Sequence, residues 1–138
     1  MAMRSEIRSE IQELGLPEVV LEIFDGQADD DTLGFYCKDP YFCLQPGAGL
    51  PAHYLPLWEC GSVTTAFNKQ TKRYSVISLE RVDEPFMDSV SFRELIEKLF
   101  TSMWEGEEPD EYLKYIASRF QYEELEGLIA KLEQENSR

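Results

Sequence analysis

The sequence is short of positive charge: one histidine, His53, and thirteen Lys and Arg against twenty-seven Asp and Glu, a formal net charge of -14. Phosphate backbones and anionic membrane surfaces would be repelled by such a chain, which argues against nucleic acid and membrane as partners. A basic protein partner would be attracted and steered over a long range. The plainer alternative is that the acid keeps the chain in solution. Long apolar runs are lacking too, and none approaches the roughly 20 residues of a membrane-spanning helix. Cysteine is sparse and odd in number, Cys37, Cys43 and Cys60. The opening MAMRSEIRSEIQELG is charged and helical in pattern, unlike a secretory leader. Together these argue against a disulfide framework and for a reducing, cytoplasmic setting.

The motifs that carry chemistry are also missing. Gly47-Ala48-Gly49 sits between prolines, has no Lys and Ser/Thr behind it and opens no helix, so it is not a phosphate loop. Asp29-Asp30-Asp31 lacks the alternate spacing and distal Glu of a calcium loop. Cys37, Cys43, His53 and Cys60 are the right ligand types for zinc, but no two are separated by the tight gap of about two to four residues that structural zinc sites use. Pairing His53 with Cys43 or Cys60 gives no catalytic signature. Both cysteines lie among apolar and aromatic residues, where cysteine behaves as a small hydrophobe. The sequence therefore assigns no catalytic residue, no metal ligand and no cofactor, and the chain reads as a non-enzyme.

What is present is a core. With 43% hydrophobic and 12% aromatic residues over 138 positions, the chain can fold as one domain, 1–138. Residues 4–14 place Ile7, Ile11 and Leu14 at helical spacing and stop at Gly15. Pro17 suits the first turn of a second short helix with Val20, Ile23 and Phe24 inward, closed by Asp25-Gly26. Thr32 to Cys37 reads as a short strand. Lys38 to Pro56, with four prolines and two glycines, reads as an irregular loop. Leu57-Trp58-Glu59 is extended. Ser62–Phe67 and Arg73–Leu79 alternate around a polar turn at Asn68–Thr71, the pattern of an antiparallel hairpin. Ser91 and Glu94 form a capping box before the strongest helical stripe of the chain, Phe92 to Trp104. Pro109 opens another helix with Leu113, Ile116, Ala117 and Phe120 inward, and a last helix carries Leu125, Leu128, Ile129 and Leu132. Helices that bracket short antiparallel strands imply an α+β fold, with helices packed on one face of the sheet.

Two acidic stretches are candidate contacts for a basic partner: Asp29, Asp30 and Asp31, and Glu105, Glu107 and Glu108. Their plain reading is a solvated surface. Trp58, with Glu59 beside it, is a further candidate, since tryptophan is enriched at interface hot spots; its ordinary role is a core anchor. The chain is expected to be a monomer or a homodimer.

The order of elements resembles the SUKH superfamily, the SMI/KNR-type domain. Leu16-Pro17-Glu18-Val19-Val20-Leu21-Glu22-Ile23-Phe24-Asp25-Gly26 is similar to its opening, with Asp25 where Asn is usual. Leu55-Pro56-Leu57-Trp58-Glu59-Cys60-Gly61, followed by Ser62 to Phe67, resembles its central strand pair. Ser91-Phe92-Arg93-Glu94-Leu95-Ile96 fits its closing helix. The likeness spans roughly residues 14–104 and leaves 105–138 as a C-terminal helical extension. It implies a helix-flanked, strongly bent sheet without catalysis. It also implies the role of many bacterial members, immunity proteins that bind and neutralise a cognate toxin, often a nuclease. The alternative within the same resemblance is a general adaptor or regulatory interaction module.

Overall fold

The computed structural model describes residues 4–27 and 30–136, which divide between Phe92 and Arg93 into two compact units. The first holds helices α1 (Arg4–Glu13), α2 (Glu18–Phe24) and α3 (Asp31–Tyr36), a 3-10 turn (Phe42–Leu44), and strands β1 (Tyr54–Cys60), β2 (Val63–Asn68), β3 (Arg73–Ser78) and β4 (Met87–Val90). The second is helical: α4 (Phe92–Glu105), whose first residue belongs to the first unit, α5 (Asp110–Arg119) and α6 (Leu125–Asn136). The fold is α+β, with an antiparallel sheet in the order β1-β2-β3-β4.

In the first unit α1, α2 and α3 all pack against β1. The stripes read from spacing point inward: Ile7 and Ile11 on α1, and Val19, Val20, Ile23 and Phe24 on α2, are buried. Outside the core, the Arg8 guanidinium grips Asp25 with two bonds of 2.9 Å, Nε to Oδ1 and Nη2 to Oδ2, and so ties α1 to the end of α2. Gly26 has φ +73°, and the N–H groups of Gly26 and Gln27 reach back to the carbonyls of Ile23 and Glu22. That is the left-handed helix ending for which glycine is suited.

The hairpin of β2 and β3 pairs in full register from Val63 opposite Ser78 to Asn68 opposite Arg73. Asn68 Oδ1 accepts from the N–H groups of Gln70 (2.9 Å) and Thr71 (3.3 Å), so the side chain organises the turn. The loop expected as far as Pro56 ends earlier, because β1 begins at Tyr54. Pro56 is tolerated there because it faces Ala66 just before a register shift that leaves Leu57 as an extra residue. Strands admit proline at such bulges. A second shift lies between β3 and β4, where Tyr74 pairs with Val90 and Val76 with Met87. Ser89 there has φ +55°, and Ser75 Oγ donates to Asp88 Oδ1 at 2.7 Å. β4 carries no period-2 apolar signal and is legible only through its pairing with β3.

Residues Thr32 to Cys37 are a correction: they belong to helix α3 and its C-cap, not to a strand. Asp30 is the cause. Its backbone is extended, and its Oδ1 accepts the N–H of Leu33 at 2.7 Å. An N-cap of this kind satisfies a donor that the first helical turn would otherwise leave unpaired. Leu33 is the one buried residue of the helix itself, and Cys37, its C-cap, is buried as well, which matches a short helix laid on β1.

In the second unit Phe100 is the centre. Its ring stands edge-on to Phe120 (6.3 Å) and stacks on Tyr122 (5.5 Å, 16° between planes). Tyr122 also donates its hydroxyl to Glu97 Oε2 at 2.9 Å. Burial, and then this bond to Glu97, push the Tyr122 hydroxyl up to about 12 from an ordinary 10. In the first unit burial alone pushes Tyr74 up to about 12, among the rings of Phe67 and Phe92. A raised acid in the folded state protects it only while the unfolded chain also keeps its proton. Stability from these two tyrosines is therefore whole below pH 10 and drains away between 10 and 12. Urea unfolding across that window should show the fall, and Tyr122→Phe should flatten part of it.

α4 and α5 end like α2, but without glycine. Glu107 (φ +61°) sends its N–H to Trp104 O, and Glu108 its own to Met103 O. Gln121 (φ +57°) and Tyr122 do the same toward Ser118 and Ala117. An L-residue in this region costs about 1–2 kcal/mol, partly offset in glycine by the flexibility it gives the unfolded chain. Glu107→Gly and Gln121→Gly should each raise the unfolding free energy by about 0.5–1 kcal/mol. Thermal or urea unfolding of each variant checks it.

Candidate protein-docking surface

α3 runs out at Tyr36, and the Cys37 N–H closes it on Leu33 O at 2.7 Å. The chain then turns extended and lays Lys38 beside Glu59 near the end of β1. Each donates its N–H to the other's carbonyl, at 2.9 and 2.8 Å. After Asp39-Pro40 the 3-10 turn begins, and it begins on the Glu59 side chain. Glu59 is 2% exposed. Its Oε1 accepts the N–H of Phe42 at 2.9 Å, and its Oε2 that of Cys43 at 3.4 Å. A carboxylate that receives two backbone donors at a helical start is satisfied although buried. Burial, and next the charge of Glu59, push the Cys43 thiol up to about 12, so it stays protonated at neutral pH.

This scaffold holds three aromatic rings in water. Phe35 is 70% exposed, Tyr41 53% and Phe42 59%. Both ends of the segment are fastened to adjacent residues of β1: Phe35 O accepts from Cys60 Sγ at 3.4 Å, and the Phe42 N–H donates to Glu59. The backbone that carries the rings is therefore anchored at one end of one strand. Tyr41 and Phe42 meet edge-on at 5.5 Å, and the Lys38 ammonium lies 5.7 Å from the centre of the Phe42 ring. Two hollows flank Leu44 and Gln45, which line both. One, of about 370 Å³, is bounded by Arg4, Asp39 and Tyr41. The other, of about 240 Å³, is lined by Ile7, Cys43, Leu50, Tyr54 and Leu55, with the 3.4 Å ion pair of Glu10 and Lys69 at its wall. Exposed rings beside shallow hollows are the composition of a docking surface rather than of an ordinary face.

The residues singled out from the sequence fall in different places. Asp29 lies outside the described residues. Asp30 spends its side chain on the α3 cap, and Asp31 is exposed in the first turn of that helix. Trp58 (4% exposed) and Glu59 are interior, so their side chains support the surface from below and do not form it. Glu105 and Glu107 are exposed and Glu108 half-buried, in the second unit. The rings of Phe35, Tyr41 and Phe42 carry no sign of exposure in the sequence, because aromatic residues in a short apolar run look like core. The cap Asp30-x-x-Leu33 was the available signal: it fixes a helix, and a one-turn helix with Leu33 inward turns Phe35 out.

No family model, curated protein or solved structure matches the chain. Among the described residues no three His, Cys, Asp or Glu side chains are grouped to hold a metal ion. His53, the one imidazole, lies against the ring of Tyr54 at 4.3 Å. Among the described residues no helix is long and apolar enough to cross a membrane.

Proposed function

We propose that this chain is a non-catalytic protein-binding domain that docks a basic protein through the surface of Phe35, Tyr41 and Phe42. The observation that carries it is the pairing of three water-exposed rings at one end of β1 with a chain of net charge -14. Rings anchor an interface by burying large rigid area, and their faces attract Arg and Lys. The excess of acid speeds the encounter and sets its sign. The resemblance to SMI/KNR-type domains narrows the reading to an immunity protein, whose partner is a cognate toxin held by occlusion of its active site or substrate groove. A nuclease fits best, since a protein that binds nucleic acid presents the basic surface this chain would attract.

The test is capture from native lysate at low salt with the tagged chain and with Phe35→Ala/Phe42→Ala, followed by mass spectrometry. One basic protein held by the parent, released by salt and lost with the double variant, supports the proposal. If that protein is an enzyme inhibited in the complex, the immunity reading stands; a basic partner whose activity is untouched moves the answer to an adaptor module. A partner bound equally by the double variant removes this surface from the account.

A further inference from the structure

The bridge between Lys38 and Glu59 has a chemical consequence one residue further out. The two residues exchange both backbone hydrogen bonds. In an antiparallel ladder such a pair is flanked by pairs that exchange none, where the Cα atoms approach to about 4.5 Å and the side chains face each other from the same side. One step out from Lys38 and Glu59, the antiparallel register of that bridge sets Cys37 opposite Cys60. The approach expected of that position lies inside the span of about 4.4–6.8 Å between Cα atoms that a disulfide requires. Cys37 has left the helix there, with φ -134° and ψ 80°. Cys60 Sγ already leans toward α3, at 3.4 Å from the carbonyl of Phe35. Cys43 points elsewhere, its Sγ 3.6 Å from Pro40 O.

We infer that Cys37 and Cys60 are a modification site, a thiol pair that a hydroperoxide converts reversibly to a disulfide. The two partners are unequal, and this sets the order of events. Cys60 is exposed and Cys37 fully buried. Burial, and next the proximity of Cys60, push the Cys37 thiol well above its usual value, so it does not react first. The Cys60 thiolate attacks one peroxide oxygen, the O–O bond breaks, and hydroxide leaves with a proton as water. Cys60 is then a sulfenic acid. The Cys37 sulfur attacks the Cys60 sulfur, the S–O bond breaks, and the departing hydroxide takes the Cys37 proton as a second water. Two thiols lose two electrons and the peroxide gains them; a dithiol reductant reverses the result. The odd number of cysteines leaves Cys43 outside the pair. The new bond would fasten the end of α3, next to Phe35, to the end of β1, but the linkage itself does not depend on the docking role of that surface.

The reduced full-length chain is treated with a small excess of hydrogen peroxide, alkylated under denaturing conditions, and mapped without reduction by mass spectrometry. The expected result is a loss of two hydrogen atoms, a cross-linked peptide pair carrying Cys37 and Cys60, an alkylated Cys43, and restoration by dithiothreitol. Cys60→Ser, at an exposed position that tolerates the change, should abolish the loss. The inference is overturned if Cys37 remains alkylatable while Cys60 ends as sulfinic acid or bridges two chains. It is equally overturned if Cys60→Ser still loses two hydrogens, since the pair would then be Cys37 and Cys43.

Discussion

Glu59→Ala is expected to lower the unfolding free energy by about 2–3 kcal/mol, because two backbone donors, one buried and one half-buried, lose a charged acceptor at once. The carboxylate reaches the N–H groups of Phe42 and Cys43, and the backbone of the same residue holds Lys38. Glu59 is thus the point from which the 3-10 turn and the strand-like approach to it are both suspended. Glu59→Gln keeps an oxygen for Phe42 and sets an NH2 against Cys43, so about half of the loss is expected. Glu59→Leu fills the same space and satisfies neither donor, so it should be no better than alanine. The readout is urea unfolding followed by the fluorescence of buried Trp58 in a Trp104→Phe background. A second readout separates lost bonds from lost volume. The charge of Glu59 helps push the Cys43 thiol up to about 12. Glu59→Gln, which keeps the volume and removes the charge, should bring that value down while the near-ultraviolet circular dichroism of the core stays that of the parent; loosening would lower the thiol too, because burial is its larger cause, but would also change the spectrum. An unchanged midpoint in Glu59→Ala would mean that water replaces the carboxylate and that the turn does not depend on it.

Much of the fold was legible where local and long-range signals agree. α4 has the Ser91 and Glu94 pattern of a capping box in its sequence, a continuous buried stripe of Leu95, Ile96, Leu99, Phe100 and Met103, and an acidic breaker after it, and all of these point one way. The β2–β3 hairpin has two strand-forming arms in full register and an asparagine that builds its own turn, although the alternation read in the arms does not carry over to burial, since β2 is buried on both faces. Misreading set in where one local choice outweighs composition. The run from Thr32 to Cys37 has the β-branched and aromatic residues of a strand, yet the Asp30 cap folds it into a helix. β4 exists through pairing with β3 and the bond from Ser75 to Asp88, neither of which leaves a mark in Met87 to Val90 alone. The site was less legible than the fold. Charge is readable from composition, so Asp31, Glu105 and Glu107 were placed on the surface and lie there. Exposure of a ring is a property of topology. Trp58 is buried on β1, and Phe42 faces outward because its backbone, not its ring, is what Glu59 holds.

Phe35→Ala with Phe42→Ala is expected to weaken partner binding about 100-fold, close to 2.7 kcal/mol, while the isolated chain unfolds within about 0.5 kcal/mol of the parent. The separation of the two effects follows from exposure. Rings 70% and 59% in water contribute little to the core, and their exposed area is what the proposed partner would cover. Most of the loss should appear as faster dissociation, since anchors act after contact. Charge should act on the other rate. Asp31→Lys changes the sign of an exposed side chain in α3 without touching a hydrogen bond that holds the helix, so it should slow association several-fold at low salt and leave dissociation nearly unchanged. Asp30→Lys is a poorer probe, because it also removes the cap to Leu33 and costs the helix about 1 kcal/mol. Surface plasmon resonance with the captured partner at two salt concentrations resolves both rates. If the ring variant changes association alone, or Asp31→Lys changes dissociation alone, the division of labour between aromatic anchors and acidic steering is wrong. If neither variant changes either rate, the partner binds elsewhere on the chain.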